Sequence, residues 1–212
     1  MDEQFWHRKW RDNEIGFHRE DANPLLLHHL PALGLATDAR LLLPLCGKTR
    51  DIGWLLAQGH EVVGSELSEL AVEQLFEELG VKPEIADDGP LRRFDAERLT
   101  VFAGNFFDLD RHRLGTVDAV YDRAAIVALP EAMRERYAGH LIHLTHTAPQ
   151  LVVTFEYDPS RLVGPPFAVP EAELRRHYGT AYRVACLGRH ELKEGLRGVT
   201  PVTEAVWRLE RR

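Results

Sequence analysis

Residues 40–67 read RLLLPLCGKTRDIGWLLAQGHEVVGSEL, and the parsing of this stretch decides the fold. Leu41, Leu42 and Leu43 form a short apolar run, as in a strand covered on both faces of a parallel sheet. Pro44 has no N–H for a ladder and ends the pairing. Gly47 permits a tight turn that brings backbone close to a ligand. Ile52, Leu55 and Leu56 recur at helical spacing, and Gly59 is placed to stop that helix. Glu61-Val62-Val63-Gly64 is a second strand with Glu66 at its carboxyl end. A turn after the first strand and an acid after the second are the parts that bind a nucleoside. The turn offers backbone N–H groups to a polar tail, and the acid accepts from ribose hydroxyls.

Two familiar nucleotide motifs fit this turn poorly. Cys46-Gly47-Lys48-Thr49 has the ending of a phosphate-binding P-loop, yet the motif requires a second glycine where this chain has Leu42. The dinucleotide pattern G-x-G-x-x-G is also missing, because bulky residues separate Gly47 from Gly53. A nucleoside ligand that needs one glycine and carries no pyrophosphate is S-adenosylmethionine.

Composition narrows the class. A chain of 212 residues, 44% hydrophobic and 28% charged, suits one α/β domain with a full core. Net charge is −7 and no basic stripe is evident, which argues against a nucleic-acid partner. No apolar run approaches the ~18 residues of a membrane span. The start, Met1-Asp2-Glu3-Gln4-Phe5-Trp6, is acidic and aromatic, unlike a signal peptide. Two cysteines, Cys46 and Cys186, suggest no disulfide framework. These features predict a cytoplasmic protein, and the lack of a heptad seam or long apolar edge favours a monomer.

Around the central stretch the chain reads as alternating strands and helices. Residues 1–22 form an N-terminal extension whose short helix places Phe5 or Trp6 near Trp10. It is either a packed helix or a lid, since aromatic faces suit adenine and attract a sulfonium cation. Phe17 then faces the ligand. Asn23-Pro24 opens a helix with Leu25, Leu26, Leu27 and Leu30 as its buried side, and His28 and His29 as surface or capping residues. Ser68 is a candidate N-cap for a helix over Glu69–Leu79 that ends at Gly80. Residues 81–97 are polar and punctuated by Pro and Gly, an excursion with room for a small hairpin.

Strands are expected at Leu99–Ala103, Val117–Tyr121 and Gln150–Tyr157, and an antiparallel pair at Tyr182–Leu187 and Val202–Leu209. Gly104–Asp108 follows the third strand, where an amide or acid can reach an adenine amine and Phe107 can stack on its ring. Arg123 follows the fourth strand at the ligand-binding rim, where its fork matches oxyanions; the alternative is an ion pair with Asp122 or Asp108. Pro130 starts a helix in which His140, His143 and His146 recur every three residues. No carboxylate or cysteine completes a metal set there, so no metal is expected. The proline-stiffened loop 158–169 carries Phe167 to the same rim as Arg123.

The stretches FWHRKWRDNEIGFH, LLLPLCGKTRDIGWLLAQGHEVVGSELSELAV, YDRAAIVALP and YDPSRLVGPPFAVP together resemble bacterial thiopurine S-methyltransferases along nearly the whole chain. The resemblance implies a single S-adenosylmethionine-dependent methyltransferase domain over residues 1–212. Its sheet would be seven-stranded, mostly parallel and Rossmann-like, with helices on both faces and an aromatic lid. It assigns the cofactor to Leu45, Gly47 and Glu66, covered by Trp10 with Phe107 alongside. Arg123 touches cofactor and substrate and orients the thiolate, and Phe17 and Phe167 line the substrate side. Ser65 stands where the family usually has valine, and the region after Arg189 matches weakly.

The implied reaction is attack by a substrate sulfur on the sulfonium methyl, releasing S-adenosylhomocysteine. It requires placement more than an acid–base pair. Other acceptors remain open: selenium or tellurium species, or oxygen or nitrogen of another small molecule, which would need a base near Arg123 such as Asp122 with Asp158. A binding module without catalysis is the alternative from another class.

Overall fold

The computed structural model describes residues 3–16 and 18–212. The chain enters through a helix α1 (Glu3–Arg11) and a second, α2 (Pro24–His29), followed by a 3-10 turn to Leu33. Then come β1 (Arg40–Pro44), α3 (Arg50–Ala57), β2 (Glu61–Glu66), α4 (Glu69–Leu79), β3 (Glu84–Asp88), β4 (Leu91–Ala96) and β5 (Leu99–Ala103). The remainder is α5 (Arg111–Leu114), β6 (Ala119–Arg123), α6 (Glu131–Leu144), β7 (Gln150–Glu156), α7 (Glu171–Tyr178), β8 (Tyr182–Glu191) and β9 (Thr203–Arg211).

The strands form one sheet in the order β3-β4-β5-β2-β1-β6-β7-β9-β8. The five central strands, β5 to β7, pair in parallel. An antiparallel pair closes each edge. The sheet therefore has nine strands, not seven. The two additional ones are the hairpin β3–β4, which occupies the polar excursion and docks β4 on β5.

Leu41, Leu42 and Leu43 are buried, and they divide between the two faces as a strand's alternation requires. Leu42 joins one core layer with Tyr137, Leu141 and Leu174 from α6 and α7. Leu41 and Leu43 join the other with Leu26, Ile52, Leu55, Leu75 and Phe76 from α2, α3 and α4. Helices thus cover both faces.

Several local expectations shift. Leu27 is exposed, so α2 buries Leu26 and Leu30 instead. His29 is buried, not superficial. The fourth strand begins two residues late because Asp118 serves β1: its N–H bonds the Arg40 carbonyl, and its carboxylate accepts the Arg40 N–H at 2.7 Å. Ser68 occupies the N-cap position without a side-chain cap bond; its backbone N–H is committed to Glu66. Among the described residues no helix is long and apolar enough to cross a membrane.

Candidate functional site

β1 is flanked by β2, to which the chain goes first, and by β6, to which it later returns. That reversal opens a crevice at the carboxyl ends of β1 and β6, the place where open α/β sheets bind ligands. Leu45 and Gly47, directly after β1, both lie in the left-handed region (φ 48° and 54°). The turn so formed points the Gly47 N–H at Glu66, whose Oε2 accepts it at 2.8 Å. The other oxygen, Oε1, accepts the Ser68 N–H at 2.8 Å. Glu66 is buried, and burial pushes its carboxyl pKa up, against the opposing N–H bonds from Ser68, Gly47 and Leu67. It locks the first turn to the end of β2.

Trp10 closes this turn from above. It is the one residue of α1 that is fully buried, and a Cβ placed on Gly47 would come within 2.9 Å of its Cζ2. Only a residue without a side chain tolerates both that approach and the positive φ. Asn105, at the end of β5, donates its side-chain amide to Glu3 at 2.7 Å and so holds α1 over the sheet. Beside α1 a cavity of about 590 Å³ runs between Gln4, His7 and Arg11 on one side and Leu67, Ser68 and Gly104 on the other. It lies next to Glu66, lined by the residue after β2 and the residue after β5. The donor set suits an adenosyl ligand: backbone N–H groups, one buried carboxylate, an indole face and a cavity continuing beyond the carboxylate.

Arg123 ends β6. The β1–β6 register pairs Leu41 with Ala119 and Leu42 with Val120, so three residues on it sets Arg123 beside Leu45. Asp122, its neighbour, is fully buried and is held by the Ile126 N–H (3.1 Å) and the Tyr137 hydroxyl (2.8 Å). Ala124 takes the left-handed conformation (φ 62°) in the same turn. Asp158 accepts from the backbone and hydroxyl of Ser160 at the surface. Asp122 and Asp158 therefore have separate engagements and do not form the base pair that an oxygen or nitrogen acceptor would call for.

Of the sequence-derived residues, Trp10, Leu45, Gly47, Glu66 and Arg123 meet at one crevice. Phe167 is linked to it through its N–H, which donates to the Val127 carbonyl at 2.7 Å, and its ring lies 5.4 Å from the Arg134 guanidinium. Arg134 is buried and bonds Glu173 at 2.6 Å, which ties α6 to α7 behind that ring. Phe107 faces elsewhere: Arg136 of α6 stacks 3.8 Å from its centroid and His140 packs edge-on at 5.6 Å. Phe17 lies outside the described residues. Cys46 is buried beside Glu66, which raises its thiol pKa and leaves it a packing residue.

Sequence reasoning gave no role to His18, whose pKa is lowered by burial and by the charge of Lys48, with a further contribution from Arg123. Nor did it find Asn105–Glu3 or Arg134–Glu173, which join residues far apart in the chain.

Comparison with known proteins agrees with this geometry. The family model described as thiopurine S-methyltransferase matches residues 1–212. A thiopurine S-methyltransferase of Xanthobacter autotrophicus is 53% identical over 212 residues, covering all of both chains. One from Teredinibacter turnerae is 48% identical, covering 100% of this chain and 98% of that one. Among solved structures, a Burkholderia thailandensis 1,6-didemethyltoxoflavin-N1-methyltransferase with bound S-adenosylhomocysteine superposes with a TM-score of 0.68 at 16% identity, covering 99% of this chain and 87% of that one. Magnesium protoporphyrin IX methyltransferase from Synechocystis, also with bound S-adenosylhomocysteine, gives 0.67 at 14% identity, covering 99% and 100%. At such identities the structures speak for the fold, and the full-length sequence matches speak for the family: this chain belongs to the thiopurine S-methyltransferases.

Proposed function

We propose that this protein transfers the methyl group of S-adenosylmethionine to the sulfur of a flat aromatic or heterocyclic thiol such as a thiopurine. The observation that carries the reading is the family match over all 212 residues. The crevice supports it. Leu45, Gly47 and Glu66 hold the nucleoside end, and Trp10 lies over the turn and keeps water from it. S-adenosylmethionine, when bound, supplies a methyl group already activated by the sulfonium charge.

The chain's own residues mainly position and enclose. Arg123 at the rim draws a thiolate or a ring nitrogen of the acceptor and lowers the cost of the ionised sulfur. Phe167, backed by Arg134, walls the acceptor side, and Phe17 is assigned to that side as well. Phe107 serves as a support between β5 and α6 and not as a stacking surface. Residues 1–22 act as the lid of a single domain. With net charge −7 and both cysteines free, the protein works as a cytoplasmic monomer on small molecules.

The test is a transfer assay with matched acceptors, a thiopurine and its oxygen analogue. Methylation of the thiopurine with the oxygen analogue untouched is the expected result. Equal transfer to both, or adenosyl-ligand binding with transfer to neither, would discard the sulfur assignment.

A further inference from the structure

The helical row His140, His143 and His146 does not come together on one ligand. His140 packs its ring on Phe106 and Phe107, and His146 bonds Arg111. Another pair does converge. His29 ends α2 and His190 lies near the end of β8, 161 positions later, with their Nε2 atoms 3.4 Å apart. A direct N–H hydrogen bond in proteins is ordinarily shorter, about 2.7–3.2 Å. Two nitrogens that share a tetrahedral zinc ion at Zn–N distances of about 2.0–2.1 Å stand about 3.3–3.4 Å apart.

The surroundings fit such an ion. Gly188, at the bulge of β8, leaves the space beside the rings open: a Cβ there would lie 2.9 Å from His190 Nε2 and 3.5 Å from His29 Cε1. Glu204 stands opposite His190 in the β8–β9 register, which puts a carboxylate on the same face of the sheet. His29 is buried, and that burial, with His28 and His190 beside it, lowers its pKa and leaves the imidazole neutral and able to ligate. His190 is exposed and gives access from solvent.

We propose that His29 and His190 bind a zinc ion, with water completing the coordination, and that the ion staples α2 to the edge strand β8. This site is separate from the crevice and takes no part in methyl transfer.

Calorimetric titration of the chelator-treated full chain with zinc, with the melting temperature followed alongside, tests the proposal. Wild type is expected to take up one zinc per chain and to melt higher. Loss of even an outer-shell partner weakens metal sites roughly 10–100-fold, so His190→Ala is expected to weaken uptake at least about tenfold. Gly188→Ala keeps both imidazoles and fills the space between them, and is expected to weaken uptake likewise. His112→Ala, an exposed histidine on α5, is the control and retains wild-type affinity. No uptake by wild type, uptake unchanged in His190→Ala, or an equal loss in His112→Ala would each overturn the site.

Discussion

Asp122 shows how one carboxylate sets the geometry of its neighbour. It is buried, its oxygens take the Ile126 N–H and the Tyr137 hydroxyl, and the backbone then turns through Ala124 with Arg123 at the rim. Burial pushes its carboxyl from the ordinary 3.8 up to about 6. A raised acid contributes stability that is full below pH 3.8 and lost as the pH rises through about 6. Between about pH 8 and pH 5 the folded wild type should therefore gain roughly 1.4 kcal/mol from this group, a gain that Asp122→Asn lacks. Urea unfolding of both proteins at the two pH values measures it, and a wild-type-minus-variant difference that does not change with pH would contradict the assignment. Arg123 itself is tested by Arg123→Lys, which retains the charge and loses the fork. A lost charge-assisted hydrogen bond is worth ~1.5–3 kcal/mol, so kcat/KM for a thiopurine should fall by on the order of tenfold or more. Unchanged kinetics would remove the orienting role. Arg123 was legible as a candidate because its segment combines a strand end with a family motif. The bracing of Asp122 by Tyr137 was not, since nothing local marks a hydrogen bond between a strand and a helix fifteen residues on.

At the scale of elements, α1 and the turn after β1 act as one unit. Gly47→Ala adds a Cβ 2.9 Å from the Trp10 ring and forces φ 54° on a residue with a side chain. Gly80, which ends α4 at φ 67°, has nothing within 4 Å of its would-be Cβ. Both alanine variants should lose ~1–2 kcal/mol from left-handed strain. Gly47→Ala alone should also weaken S-adenosylhomocysteine binding, as should Trp10→Ala, by ~0.5–2 kcal/mol for the lost ring face. Equal affinity in all three variants and wild type would separate Trp10 from the ligand.

The elements themselves were legible to different degrees, for physical reasons. α4 and β5 have the bounds read from sequence, because Gly80 stops the helix and Leu99–Ala103 is a continuous buried run. The hairpin was seen only as a polar excursion, since β3 is mostly exposed and lacks an apolar alternation. β6 was placed two residues early because Asp118 looks like strand and acts as a clamp on β1. Leu27 was assigned to the core because α2 is only six residues long, too short for its apolar run to define a face.

For the whole molecule, the order of strands does the positioning. The reversal at β1 brings together a turn, an acid nineteen residues later and an arginine from β6, while α1 reaches over them from the start of the chain. The sheet's class was readable from the alternation of strands and helices; its nine-strand width and the faces that α2 and α6 cover depend on packing between distant segments. The central claim is that this crevice takes an adenosyl ligand without phosphates, and calorimetric titration with S-adenosylhomocysteine, ATP and NAD tests it most directly. One site for S-adenosylhomocysteine, weakened in Trp10→Ala, with no heat from ATP or NAD, is the predicted result; binding of ATP or NAD in its place would contradict the assignment of the Leu45–Lys48 turn and of the reaction built on it.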